Sequence, residues 1–343
     1  MQIKNYIRKH LGVKATVLSL LAAITVAVLL VGNHRPGSQA AVSYPFPGRA
    51  ENLAPGQYWW MGGQHPPGVQ GLGYDLGMIR FDAETEKWTD LRDDIPSNEP
   101  ERSKNDHLLI YGQPAYAVAD GEVVRCWRNA PENPKPGQTR PNVVDPGNIP
   151  KSLANKPKIP GGGNHLWVRH NNGDLALYAH MKTGSIPANL CPIPSEEFIE
   201  VSEMDLPEGN RPKVTKGQML AQVGASGSSG GPHMHIHLQT GNPDSGNASN
   251  SVPLPFHGAY IKNTTLTEDV LADWKRMQGE QMTAPPPPVI WPDYSGDQPE
   301  LAKHAVPSSD FQFTFDHITK SGYRMVWVDG YEVNGKSYFN MIF

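Results

Sequence analysis

The stretch His233-Met234-His235-Ile236-His237-Leu238 alternates an imidazole with an apolar side chain. That period of two decides the reading of the chain. On a β-strand alternate residues share a face, so the three histidines line one side while Met234, Ile236 and Leu238 enter a core. A helix would scatter both sets around its axis. Two neutral imidazoles on one face are also half of a metal site, because zinc takes nitrogen and oxygen ligands in a tetrahedron.

Outward from this strand the chain keeps the same character. Met219 to Val223 reads as a strand joined to it by the flexible loop Gly224 to Pro232. His165 to His170 and Asp174 to Ala179 flank Asn172-Gly173, a hairpin dipeptide. Pro114 to Trp127 reads as two strands around Asp120-Gly121. From Tyr44 to Ile261 short apolar runs alternate with Gly, Pro and Asn, and no helical period of useful length occurs. The expected fold is mainly β: an antiparallel β-sheet domain over 41–264 with long loop insertions at 82–106 and 129–163. Insertions of that length are functional or mobile as a rule, and these two should border a groove and restrict access to it or close over it as lids. Thr265 to Gln281 predicts a helix (265–282), with Val270, Leu271, Trp274 and Met277 at helical spacing. The Pro-rich run that follows predicts an extended linker over 283–304. A small α+β unit is expected over 305–343. Ser308-Ser309 would cap a helix to about Lys320 carrying Phe311, Phe315 and Ile318 on one face. Two strands around Asn334-Gly335 complete it.

Composition narrows the class. Gly (34) and Pro (33) make up nearly a fifth of the 343 residues and only 19% are charged, which argues against coiled coils and helix bundles. Net charge is -4, but residues 1–40 hold Lys4, Arg8, Lys9, Lys14 and Arg35 and no acid. The other 25 of the 30 basic residues face all 34 acidic ones, the wrong sign for a nucleic-acid partner. The basic start, the uncharged run Ala15 to Gly32 and the small residues of Ser38-Gln39-Ala40 read as a signal peptide or an uncleaved signal anchor over 1–40. The remainder is then exported, periplasmic or extracellular, and touches a membrane only through such an anchor. In an oxidising compartment Cys126 and Cys191, the only cysteines, are expected to form one disulfide.

Several metal patterns compete for the HxH string. A metal-dependent barrel would place it near the start of a long α/β chain. A cupin wants a Glu shortly afterwards, and the nearest is Glu268. A carbonic-anhydrase-like set of His233, His235 and His257 has suitable spacing, but His257 sits in a loop-like context. The pattern that fits spreads over four strings in order: GQPAYAVADGEVV, GNHLWVRHNNGDLALYAHM, VTKGQMLAQVGASG and SGGPHMHIHL. With His65 and Asp75 ahead of them, the order is His, Asp, YAH, then GPHxH. It resembles the zinc-dependent endopeptidases of the M23 type, the lysostaphin-like or LytM-like cell-wall hydrolases, over roughly residues 57–261.

The resemblance implies an antiparallel β metallopeptidase domain binding one Zn2+ per chain and cutting peptide bonds in peptidoglycan stems or cross-bridges, or in another peptide substrate. It implies His65, Asp75 and His235 as metal ligands, with His180 and His233 as the catalytic imidazoles. One carboxylate and two imidazoles leave zinc an open position for water, whose pKa falls from 15.7 to about 7 on such a metal. A nearby imidazole that moves a proton contributes about 10²–10⁴-fold, and another can hydrogen-bond the developing oxyanion. Here the His stands ten residues before the Asp instead of in HxxxD, and Asp106 is a second candidate for the carboxylate. His237, one step along the strand, is expected to support His235 from behind. His170 is expected to be solvated, and His107, His165, His257, His304 and His317 to be structural or on the surface. The final 37 residues (GYR, VDGYEVNG, YFNMIF) resemble a short repeat found beside exported hydrolase domains. A non-catalytic wall-binding or hydrolase-regulating protein of the same fold is the alternative reading.

Overall fold

The alternation at 233–238 is realised as a strand, and its neighbours explain why. In the computed structural model, which describes residues 42–343 apart from 55, 66–69, 71, 83, 84, 86, 194–198, 244–249, 264–273, 281 and 283–287, twenty strands follow one another. The first ten are β1 (Tyr44–Pro45), β2 (Gln57–Gln64), β3 (Tyr74–Asp82), β4 (Lys87–Thr89), β5 (Pro114–Tyr116), β6 (Gly121–Trp127), β7 (Val143–Val144), β8 (Ile159–Pro160), β9 (Asn164–His170) and β10 (Leu175–Met181). Helix α1 (Val201–Met204) precedes β11 (Lys213–Val214), β12 (Met219–Gln222), β13 (Met234–Gln239), β14 (Ser251–Val252), β15 (Phe256–Asn263), β16 (Lys275–Glu280), β17 (Pro288–Pro292) and β18 (Ala302–Pro307). Helix α2 (Phe311–Lys320), β19 (Trp327–Val333) and β20 (Lys336–Ile342) end the chain.

Thirteen of the described strands form one sheet, whose main path runs β1-β15-β17-β2-β3-β13-β10-β9-β6-β11. Neighbours along it are antiparallel except β1 and β15. The mainly-β expectation is therefore met. Met234, Ile236 and Leu238 are fully buried in the main core with Leu76, Tyr178 and Leu166. Each aliphatic side chain removed from water there contributes about 1.5–3 kcal/mol, which fixes which face of β13 turns inward. The hairpin at Asn172-Gly173 forms as read: β9 and β10 pair, and Gly173 turns at φ +93°. The Cys126–Cys191 disulfide is formed, with Cα atoms 5.7 Å apart.

Several expectations need correction. Asp120-Gly121 does not turn a hairpin, because β5 pairs with β12 while β6 pairs with β9 and β11. The expected helix 265–282 falls partly outside the described residues, and its remainder, Lys275–Glu280, is strand β16 on β15. Gly279 at φ +91° is incompatible with a helix interior, and pairing with β15 outweighs local propensity. The expected linker contains β17, which lies between β15 and β2 with Val289 and Ile290 buried. Its prolines stand at the strand ends, where a missing N–H is tolerated. Insertion 82–106 carries β4 on β3, and insertion 129–163 contributes β7 and β8. His170 is buried rather than solvated. Helix α2 starts at Phe311 with Asp310 as N-cap, and no side chain caps it. The C-terminal unit itself is as expected, with the turn made by Asn334 and Gly335, both at positive φ, and a sheet ordered β18-β20-β19. Ser43–Phe343 form one compact unit, so the expected divisions at 264 and 304 fall inside it. Segment 1–40 lies outside the described residues. Among the described residues no helix is long and apolar enough to cross a membrane.

Candidate metal centre

Strand register brings the first three side chains together. Across the β3–β13 pair Asp75 stands directly opposite His235, and across β2–β3 Asp75 faces Gly63, two residues before His65. Asp75 Oδ1 lies 2.9 Å from His235 Nδ1 and 3.1 Å from His65 Nε2. The donor atoms of His65, Asp75 and His235 all lie within 4.8 Å of one another. A tetrahedral zinc with ligands near 2.0–2.1 Å has ligand–ligand edges of about 3.3 Å, so two imidazole nitrogens around one carboxylate fit that ion. Burial opposes charge on Asp75, yet the hydrogen bonds from His235 and His65 prevail and hold its carboxyl well below the usual range. The Asp75 bond raises His65, whereas burial lowers His235. Behind the cluster His235 Nε2 lies 2.8 Å from His237 Nδ1. Burial pushes His237 down to about 3, so it stays neutral.

His180 and His233 complete the group from the other side. Their rings are 4.6 Å apart, and the His180 ring is 6.0 Å from that of His235. His180 sits at an irregularity in β10, where the register against β9 shifts between Tyr178 and Met181 and its φ is +62°. Bulges of this kind re-aim a side chain at a site, and a non-glycine residue held there stores strain of about 1–3 kcal/mol. His180 Nδ1 lies 2.8 Å from the Ser226 carbonyl, and His233 Nδ1 lies 2.8 Å from the Gly231 carbonyl. A carbonyl only accepts, so both rings carry their proton on Nδ1 and keep Nε2 as the free nitrogen. Burial holds His180 well below its ordinary value, as a neutral imidazole. His233 Nε2 lies 3.5 Å from Asp75 Oδ1.

All five residues singled out in the four strings and ahead of them thus converge. The competing candidates do not. His257 is on β15, separated from β13 by three strands, roughly 19 Å at ordinary strand spacing, and binds Ser43 Oγ. Asp106 is exposed on a short 3-10 turn outside the cluster. The buried His107, His165 and His317 and the exposed His304 stand apart from it. Sequence reasoning missed Ser226, Glu132 and Asn133. Ser226 accepts from the Asn164 N–H and donates to the Met181 carbonyl through Oγ, tying the loop to β9 and β10. The loop's repeated Gly and Ser hinted at close backbone approach. Glu132, alone in a Pro- and Asn-rich stretch, carried no signal.

Comparison with known proteins gives one match to a family model. Residues 298–343 match the polyglycine hydrolase-like structural repeat. No curated protein sequence is similar to the chain. Among solved structures the chain is similar to M23-type peptidases. One is the catalytic domain of lysostaphin from Staphylococcus simulans, at 18% identity, 42% of this chain, 77% of that one and a TM-score of 0.21. Lysostaphin from the same organism matches at 13% identity, 88% and 92% coverage and a TM-score of 0.26. A zinc-containing peptidase from Vibrio cholerae matches at 14% identity, 52% and 48% coverage and a TM-score of 0.21. Scores this low leave the functional reading to the site's own residues.

Proposed function

We propose that this chain is an exported zinc-dependent endopeptidase that hydrolyses peptide bonds in peptidoglycan stems or cross-bridges. The observation that carries the reading is the convergence of His65, Asp75 and His235 on one point, with two imidazoles beside it whose Nδ1 atoms are held by backbone carbonyls. His65, Asp75 and His235 would hold the metal. Bound there, zinc supplies a Lewis acid for the scissile carbonyl and an acidified water. His180 and His233 do the proton work at Nε2: the unprotonated nitrogen of one ring can accept the proton of the attacking water, and a ring that has taken up a proton there can hydrogen-bond the developing oxyanion. His237 orients His235 from behind, as the hydrogen-bonded neighbour of a metal-bound imidazole does. Export is supported by the basic and apolar N-terminal segment and by the Cys126–Cys191 bridge.

A non-catalytic wall-binding role would tolerate gaps in this set, and none of the five positions is vacant. The test is a digest of peptidoglycan with the purified chain, with chelator, with zinc restored, and with His235→Ala. Fragments analysed by mass spectrometry should show new peptide ends that vanish with chelator or in the variant and return with zinc in the wild type. Zinc bound at one per chain without any release would overturn the substrate assignment and turn the search to protein substrates.

A further inference from the structure

The two free imidazoles are aimed through a loop, and that loop is held by a segment outside the strings that point to the site. Glu132 is the fourth residue of the insertion 129–163. Its carboxylate accepts the backbone N–H of Thr183 at 2.8 Å and that of Ala225 at 2.6 Å. Thr183 stands three residues after His180, and Ala225 immediately precedes Ser226, whose carbonyl receives the His180 Nδ1–H. One carboxylate therefore joins the chain that carries His180 to the chain that orients it. The space for it is specific: a Cβ on Gly224 would stand 2.7 Å from Glu132 Oε1 and 2.5 Å from the Lys182 backbone.

Asn133 does the same for the other ring. It is 2% exposed, and its Nδ2 donates to the carbonyls of Gly227 (2.9 Å) and Ser229 (3.0 Å). Ser229 Oγ in turn lies 3.3 Å from His233 Nδ1, and Gly231, whose carbonyl binds the same nitrogen, is two residues on. The pair is itself fixed. Arg140 donates its backbone N–H to Asn133 Oδ1 and its Nε to the Glu132 carbonyl, and Asn105 Nδ2 donates to the Asn133 carbonyl. Further along, Gly137 N–H binds the Gly230 carbonyl at 2.7 Å. Charge-assisted bonds to backbone N–H groups are about twice as strong as neutral ones, and leaving buried groups without partners is costly. The start of this insertion is built as a brace.

We propose that Glu132 and Asn133 are positioning residues for the proposed hydrolysis, setting the direction of the His180 and His233 rings through the 224–231 loop. The inference rests on the peptidase reading for its activity readout but not for its structural one. The brace acts on proton-carrying groups and touches none of the three proposed metal ligands. Its loss should therefore lower kcat while sparing KM and metal content.

The test compares the purified zinc-loaded chain with Glu132→Gln, with Asn133→Ala, and with Glu122→Gln as a control that alters only a pair with Arg211. Glutamine has the size of glutamate but offers one acceptor oxygen to two N–H donors. We expect kcat for a peptidoglycan-derived peptide to fall about 10–100-fold in each brace variant, part of the roughly 10²–10⁴-fold that proton transfer by a well-positioned side chain supplies. KM and bound zinc should stay within about two-fold of wild type, judged by the same margin. The Nδ1–H signals of His180 and His233 in ¹H–¹⁵N spectra should shift in the brace variants and stay in place in the control. Unchanged kcat with unchanged ring signals overturns the proposal, as does loss of zinc in parallel with kcat. A zinc-loaded wild type that does not cleave this peptide overturns the substrate assignment instead, and the ring signals then decide this proposal alone. If Glu132→Gln does not fold, Asn133→Ala keeps the carboxylate clamp and carries the test at His233.

Discussion

At Asp75 a single carboxylate oxygen serves two imidazoles, His235 at 2.9 Å and His65 at 3.1 Å. The consequences are local and measurable. His237→Phe keeps an aromatic ring but removes the nitrogen 2.8 Å from His235 Nε2. Zinc affinity should fall about 10–100-fold, measured by chelator competition; an unchanged affinity would show that His237 only fills space. Gly73 is a second pressure point. A Cβ there would stand 2.8 Å from the His237 Cβ and 2.9 Å from the Gln70 carbonyl. Gly73→Ala must push β3 away from β13, and we expect about 1–3 kcal/mol of lost stability in a denaturant melt together with weaker zinc binding. The candidate histidines and Asp75 were legible because their order matches the pattern that the chain resembles, with Asp106 as the rival carboxylate. Asn133 and Glu132 were not, because their role lies in which backbone groups they reach.

Elements show where local patterns and long-range pairing part company. The Pro-rich run reads as a linker because prolines dominate its composition. The structure uses the Val289-Ile290-Trp291 segment between the prolines as a buried strand. Ile290 is fully buried, so Ile290→Ala should cost about 2–5 kcal/mol in a denaturant melt. A linker would register almost nothing. The helix expected over 265–282 fails at Lys275–Glu280 for a related reason: β15 offers backbone partners that no local period reveals. The disulfide belongs to this scale too. It joins β6 to a segment 65 residues later. Replacing Cys126 and Cys191 together by Ala should lower unfolding free energy by about 2–5 kcal/mol, since an open chain has more disorder to lose on folding.

Across the whole molecule the C-terminal unit keeps its own sheet and packs α2 against residues of the main sheet. His317 of α2 is 1% exposed and sits among Trp291 (4.8 Å), Tyr260 (5.0 Å) and Tyr294 (5.1 Å). Its Nε2 lies 3.4 Å from Asp293, which also pairs with Arg276. Burial disfavours charge on Asp293, but His317 and Arg276 overcome it and bring its carboxyl down to about 2. A depressed carboxyl contributes stability above its unfolded value near 3.8 and loses it as pH falls toward about 2. Burial lowers His317 as well, so its protonation begins to weigh against folding below its ordinary value of 6.5. Thermal melts from pH 7 to pH 2 should therefore decline throughout. In Asp293→Asn the acid limb between about pH 4 and pH 2 should be shallower, and an identical slope would remove Asp293 from the acid response. Through Phe313, α2 of the 298–343 repeat also packs on Tyr260 and Trp291.

Through its resemblance to the M23 pattern the sequence proposed His65, Asp75, His180, His233 and His235 as one site. By itself it determined the period-two strand that carries His235, the hairpin at Asn172-Gly173 and the pairing of the two cysteines. Those features depend on nearest neighbours along the chain or on the chemistry of rare residue types. Only the tertiary structure decided that a proline run is a core strand, that β5 and β6 part to different partners, and that the first residues of a long insertion brace the imidazoles. Each of these depends on contacts between segments tens to hundreds of residues apart. Their free energy comes from backbone pairing and burial that no local period encodes.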